Sequence, residues 1–470
     1  MDPKFVSHIG AIVDAGDLLT ERADCLTYGY DNSRRQAIPD LVVFPRSTHQ
    51  VQQLLLACNE FHVPVLARGR GTGTTGATVP EDGGLVMSFE RMNRIIKIDP
   101  DNRVMVVQPG VTNQQVQDAA AEQGFFWAPD PTSAAYCSVG GNLAYNSAGP
   151  RAVKYGTCRE NTLGLQAVTG AGELIHCGVY TTKGVVGYDL TRLIIGSEGT
   201  LAVITEATLK LLPKPEGKRT LQCTYDSMDA AARAVSAIMA QPVTPCALEF
   251  IDENAINMVR EYSTAELPET AGAMLMIEVD GNERYLDADV DIISQAARVD
   301  GCLNIKSAST AEETQALWET RKALSPSLRK IAPKKINEDV VVPVSSMAAL
   351  INGLNLLSQQ YDIPIVNFGH AGNGNIHVNL LVDPDDPAQM RNAHQCLDKV
   401  FDLVLSLNGT LSGEHGVGLE KRDYVYKELS ASEIRLMHGI KREFDPNNIL
   451  NTGKSLPPES ALSTGDCSAS

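Results

Sequence analysis

The sequence predicts an α+β protein of more than one domain, and three observations carry that reading. At 470 residues the chain is too long for one ordinary hydrophobic core. Its first part sets short apolar runs around a helix and leads into a glycine-rich loop, the pattern of a strand–helix–strand unit. From about residue 215 strand-like stretches alternate with long amphipathic helices. That alternation suits an antiparallel sheet covered by helices on one face.

In chain order, "DLVVFP" (40–45) is a short apolar run closed by Pro45, hence a strand. Residues 47–62 open on a Ser47/Thr48 cap and put Val51, Leu54, Leu55 and Cys58 on one helical face. "VPVLARG" (63–69) is the next strand. "IIKIDPDNRVMVVQPG" reads as a hairpin turning at Asp-Pro-Asp-Asn. Residues 112–124 read as a helix capped by Thr112 and stopped by Gly124. A second glycine-rich region fills 138–149, and strands run through 193–213. Beyond 215 the helices are expected over 228–240, 285–298, 311–330, 345–361 and 387–407. The expected division is 1–214, 215–425, a segment 426–456 returning to the first domain, and a flexible tail 457–470.

The bulk composition excludes several function classes. Apolar residues make up 43% and charged residues 21%, as in globular proteins. The formal net charge of −17 argues against a broad nucleic-acid or anionic-membrane surface. No run is long enough for a membrane span. The start, "MDPKFVSHIGAIVDAGD", lacks the basic-then-apolar pattern of a signal peptide, so a cytoplasmic or matrix location is expected. Ten scattered cysteines, with no C-x-x-C, read as reduced thiols and cannot build an iron–sulfur cluster by local spacing.

"ARGRGTGTTGATVPEDGG" (67–84) contains G-x-G-x-x-G. A dinucleotide fingerprint of the usual kind needs a helix to start at its third glycine. Here Pro80, Gly83 and Gly84 forbid one. A P-loop needs a Gly-Lys-Ser/Thr, and no lysine is present. What survives is an anion nest: Gly69, Gly71, Gly73 and Gly76 let the backbone turn and expose N–H groups, and Thr72, Thr74 and Thr75 add hydroxyls. Such a cradle suits a pyrophosphate. A bare structural turn is the plainer alternative. Two further patches, Ser138-Val-Gly140-Gly141-Asn142 through Asn146-Ser147-Ala148-Gly149 and Gly196-Ser197-Glu198-Gly199-Thr200, allow close approach of backbone to a flat ligand. Three such regions within 135 residues favour a large cofactor over loops alone.

A second constellation lies at "NFGHAGNGNIHVNLL" (367–381). His370 and His377 are seven apart, so one continuous strand would send them to opposite faces. Gly369, Gly372 and Gly374 break that strand, leaving Asn375, His377 and Asn379 on one face and letting His370 fold back. "SGEHGVG" (412–418) adds Glu414 and His415. Two imidazoles and a carboxylate suit a divalent metal such as Zn²⁺ or Mn²⁺. A lone histidine would more often be a hydrogen-bonded core residue.

Three segments carry a resemblance. "RGRGTGTTG", "PDPTSAAYCSVGGNLAYNSAG" and "IIGSEGTLAVITEATLKL" resemble the FAD domain of the vanillyl-alcohol-oxidase/p-cresol-methylhydroxylase superfamily, and the likeness runs on to the C-terminus. Within it the chain is similar to the FAD-dependent D-2-hydroxyacid dehydrogenases. The fold implied is a two-part FAD-binding domain of the vanillyl-alcohol-oxidase type plus an α+β cap domain with an antiparallel sheet. The resemblance implies FAD in an extended pose. Non-covalent FAD is expected because residues 68–78 hold no histidine. The expected cofactor contacts are Arg68, Gly69, Arg70, Gly71, Thr72, Gly73, Thr74, Thr75, Gly76, Pro131, Thr132, Ser138, Gly140, Gly141, Asn142, Asn146, Ser147, Gly149, Gly199, Ile204 and Asn451.

"HAGNGNIH" (370–377) fits the family's H-x-G-x-G-N-x-H, which makes His370, His377 and Glu414 the implied metal ligands and His415 the implied general base. The implied substrate contacts are Arg321, Ser325, Lys335 and Asn375, with Asn337 an alternative to Lys335. An arginine suits bidentate binding of a carboxylate. The implied reaction is FAD- and metal-dependent oxidation of a small anionic D-2-hydroxy acid to the 2-keto acid. Electrons would pass to a quinone, an electron-transfer flavoprotein, a cytochrome or an iron–sulfur subunit, and a homodimer is one assembly open to it. Two rivals stand beside this: a metal-free FAD oxidase of an alcohol or sugar, and an FAD subunit active only with an electron-transfer partner.

Overall fold

A computed structural model of the chain describes residues 1–260, 270–308, 310, 312–315, 317–318, 328 and 332–459. The chain divides into two compact units. The first takes residues 1–148, 156–214 and 414 onward, and the second takes 149–155 and 215–413.

The first unit holds a mixed four-stranded sheet. Strands Leu41–Val43 and Val65–Arg68 both pair in parallel with Leu85–Ser88, which lies between them. The expected strand–helix–strand unit is therefore present with a third strand inserted at its centre. Helix Thr48–Phe61 connects the outer two. Its Ser47 cap accepts from the Gln50 N–H, and Val51, Leu54, Leu55 and Cys58 are buried, as the spacing predicts. A five-stranded antiparallel sheet follows, in the order 95–99, 104–107, 202–210, 162–169, 174–178. Helix Asn113–Ala121 starts on a full capping box between Thr112 and Gln115. One core cluster runs from Phe5 and Val43 to Leu450, and another surrounds Trp127 and Val139. The end of the chain joins the first sheet: the Val65 N–H donates to Ile449 O, and the Asn451 N–H donates to Val65 O.

The second unit is built on a seven-stranded, fully antiparallel sheet, in the order 302–308, 217–225, 273–281, 247–252, 365–370, 375–382, 334–341. Its register fixes which side chains share a face. Directly opposed residues share a face. Leu248, Phe250, Ile277, Leu275, Ile376, Val378, Leu380 and Val340 occupy one face and are buried. Helices Met228–Ala240, Leu286–Ala297, Met347–Tyr361 and Pro387–Ser406 pack against the sheet. Glu249, His370, Asn375, His377, Asp339 and Asn337 share the opposite face.

Two expected boundaries shift. The return to the first unit begins at Glu414 rather than 426. The cause is that the Val417, Gly418, Leu419 and Glu420 amides all bond to residues of the first unit. Residues 149–155 join the second unit, where Lys154 and the Tyr155 hydroxyl both reach the Asp280 carboxylate. Of the helix expected over 311–330, Arg321, Ser325 and Arg329 lie outside the described residues.

Candidate active site

In the first unit three loops line a partly open cavity. Arg68, Gly69, Ala77 and Thr78 line it from the first glycine loop, Ser138, Gly140, Gly141, Ala144 and Tyr145 from the second, and Ser197, Glu198, Gly199 and Ile204 from the third. The glycines keep this space open. A Cβ on Gly69 would overlap the Ser138 hydroxyl, and one on Gly140 would collide with Pro109. The Tyr145 hydroxyl and Ser197 Oγ are buried without a protein partner, and so is Asn451 Oδ1 behind the wall. Buried polar atoms of that kind call for a polar ligand. Arg68 ends its strand buried, and desolvation lowers its pKa despite nearby Asp31. A buried guanidinium of this kind suits a phosphate-bearing group. Residues and cavity thus fit FAD.

The cavity brings together Arg68, Gly69, Ser138, Gly140, Gly141, Gly199 and Ile204 from the expected set. Other expected contacts serve the loops themselves. The space a Cβ would take at Gly71 is filled by the Arg68 guanidinium, at Gly73 by the Tyr145 ring and at Gly76 by Arg35 and Leu419. The buried Thr75 accepts at its carbonyl from the Leu419 and Glu420 amides. Gly140 and Gly141 lie in the first turn of the helix Val139–Tyr145, behind the Ser138 cap. Asn142 bonds Asn113 and Cys137, while Asn146 ends the helix with φ 54° and accepts from Thr157 and the Arg159 N–H. The Ser147 N–H donates to Asn142 O. Asn451 braces two lining loops, donating to Ala77 O and Glu198 O. Arg70 reaches Glu90. Thr132 is exposed, and Pro131, Thr72 and Thr74 are half-buried outside the cavity lining. Gly149 falls in the second unit.

In the second unit, strands Ile365–His370 and Asn375–Val382 form a hairpin whose turn contains a short 3₁₀ segment, Ala371–Asn373. Gly374 takes φ 70°, and a Cβ there would overlap the Val342 carbonyl. This turn places His370 opposite Asn375, two pairs from Phe368 opposite His377 and so on the same face. The two imidazoles meet edge-on, their centroids 5.2 Å apart. The buried Asp339 holds the incoming chain end: its carboxylate accepts from Ser412 Oγ and the Gly413 N–H. Glu414 follows Gly413 by one peptide bond. His370, His377 and Glu414 each offer a ligand atom, all within 4.8 Å of one another. Two buried imidazoles and a carboxylate this close could hold a divalent ion.

The metal-ligand spacing misses Glu249. It is 1% exposed, and its carboxylate accepts from His370 Nδ1 at 2.5 Å. That contact fixes which ring nitrogen of His370 faces the cluster. The signal was an acid in the otherwise apolar run "CALEFI". Asp339, in "NEDVVVP", is a second anchor of the same kind. Asn375 donates to the Asp339 and Val340 carbonyls. Lys335 pairs with Leu381, on the face of His377 but four cross-strand pairs along, with Asn337 between them on the same face. The His415 carbonyl accepts from Thr75 Oγ1.

Comparison with known proteins follows this division. Residues 39–178 match the FAD binding domain model, and residues 214–455 match the model "FAD linked oxidases, C-terminal domain". The glycolate oxidase subunit GlcD of Bacillus subtilis is 40% identical over 430 residues, covering 91% of this chain and 92% of its own. A D-lactate dehydrogenase of Anaerostipes hadrus is 34% identical, covering 89% and 90%. The cytochrome-linked mitochondrial D-lactate dehydrogenase of Arabidopsis thaliana is 35% identical, covering 94% and 79%. Among solved structures, p-cresol methylhydroxylase with substrate bound superposes over 97% of this chain and 96% of its own, with a TM-score of 0.78 at 18% identity, a likeness of fold. The chain belongs to the FAD-linked oxidases, with the two-part architecture and antiparallel sheet expected of them.

Proposed function

We propose that this FAD-linked oxidase converts a D-2-hydroxy acid to its 2-keto acid with the help of a divalent metal. The observation that carries the reading is the His370, His377 and Glu414 donor set, with both histidines held by the 365–382 hairpin, in a chain of this family. The family's curated relatives named for glycolate and D-lactate support the substrate class. FAD, when bound in the cavity of the first unit, supplies the acceptor for the C2 hydride. The metal, when held by the two histidines and Glu414, supplies Lewis acidity toward the 2-hydroxyl.

The chain's own groups do the rest. Glu249 orients His370, and Asp339 holds the Ser412-Gly413 step that delivers Glu414. His415 takes the hydroxyl proton, a role suited to an imidazole near neutral pH. Arg321 and Lys335 neutralise the substrate carboxylate, with Ser325 and Asn375 as further contacts. Relatives named as a subunit and as cytochrome-linked support an acceptor other than a pyridine nucleotide. The test is anaerobic addition of paired D and L 2-hydroxy acids to the purified flavoprotein. Bleaching by the D forms with formation of the keto acid is expected. Bleaching by simple alcohols or sugars, and not by hydroxy acids, would replace this reading with the metal-free oxidase.

A further inference from the structure

Glu198 is a buried acid that the reaction above does not use. It lies in "GSEGT", takes φ 53° and is 6% exposed. A non-glycine residue in the left-handed region persists only where its surroundings hold it. One side of Glu198 belongs to the wall of the cofactor cavity. Its carboxylate is held by the segment that follows His415 and by Ser455. One oxygen accepts from the Val417 N–H at 2.5 Å, and the other accepts from the Gly418 N–H at 2.8 Å and Ser455 Oγ at 2.6 Å. Its carbonyl accepts from Asn451 Nδ2. Gly416 shows how closely the parts fit: a Cβ there would overlap the Glu198 carboxylate and press on the Tyr145 ring, another cavity wall. These are the residues directly after Glu414 and His415.

Burial costs a carboxylate free energy and raises the Glu198 pKa, and the three donors aimed at it offset part of that cost in this geometry. The same donors could have been satisfied by water had the loop been free. We propose that Glu198 is a positioning residue: from the cofactor-cavity wall its carboxylate fixes the 416–418 turn, and through that turn the places of His415 and Glu414. This deepens the hydroxy-acid reading and rests on it for the roles of those two residues. It adds a role for the third glycine loop beyond holding the cofactor.

The test is Glu198→Gln in the flavin-loaded protein, since glutamine keeps the volume but turns an N–H₂ toward an N–H donor. Expected are retained FAD, faster amide exchange at His415 and Gly416, and flavin reduction by substrate slowed 10- to 100-fold, the scale of an ångström-size misplacement. Unchanged exchange and an unchanged reduction rate with FAD bound would overturn the proposal, as would FAD loss with exchange at 415–416 unaltered. If Glu198→Gln does not fold, Ser455→Ala removes one donor to the same carboxylate. It should raise exchange at 416–418 several-fold, and no rise would overturn the proposal. Should the unaltered protein be bleached by no hydroxy acid, the functional reading falls, while amide exchange still decides whether Glu198 holds the turn.

Discussion

Replacing Glu249 with glutamine isolates the contact that orients His370. The carboxylate is almost wholly buried and accepts from His370 Nδ1 at 2.5 Å, so it makes a charge-assisted bond out of water. Such a bond is worth about 1.5–3 kcal/mol, and a neutral one about 1. Glutamine retains volume and a neutral acceptor, so the loss is about 1–1.5 kcal/mol, or roughly tenfold in metal affinity. That agrees with the roughly 10- to 100-fold seen when partners behind metal-bound histidines are removed. The assay is competition of Zn²⁺ or Mn²⁺ between protein and a chelator, with the melting temperature measured in parallel. Affinity equal to that of the unaltered protein would refute the orienting role. An equal loss at His377→Asn with none at Glu249→Gln would place the useful contacts on one histidine only.

Other perturbations have equally definite outcomes. Gly69→Ala puts a methyl against the Ser138 hydroxyl in the cavity lining and should weaken FAD binding about tenfold, read from flavin fluorescence on titrating the apoprotein. Gly374→Ala combines φ 70° with overlap on the Val342 carbonyl and should cost about 3 kcal/mol of stability, read by denaturant unfolding. Burial lowers the Lys454 ammonium from its ordinary 10.5 to about 8. Because the unfolded chain holds that proton more tightly, the penalty of about 3 kcal/mol is full below pH 8 and fades as pH rises toward 10.5. Lys454→Met should therefore stabilise the protein at neutral pH and flatten the gain in stability between pH 8 and 10.5. Equal pH profiles for the two proteins would contradict this.

The parts of the fold legible in the sequence are those set by local rules. The helix at 48–61 was readable from its serine cap and one apolar stripe, and the hairpin at 370–377 from glycines that only a broken strand explains. The three glycine loops marked the cavity, since backbone can approach a ligand only where side chains are missing. Which residues in those loops face the cavity was not legible. Asn142 and Asn146 sit among glycines as cofactor contacts would, yet Asn146 ends its helix and Asn142 bonds Asn113 and Cys137, because small polar side chains suit all these tasks. The partners of Glu198 lie 219 and more residues further along the chain, and those of Glu249 lie 121 away. Neither spacing carries a local signal. Both acids read simply as polar interruptions until the sheet register and the returning C-terminal segment are known. The return at Glu414 escaped for the same reason, since its anchors are backbone amides that any sequence could offer.

The most direct measurement follows the flavin band anaerobically while a D-2-hydroxy acid is added, before and after chelation. If His370, His377 and Glu414 hold a working metal, bleaching disappears with EDTA and returns with Zn²⁺ or Mn²⁺. Bleaching that proceeds at full rate in the metal-free protein would contradict the ligand roles of all three.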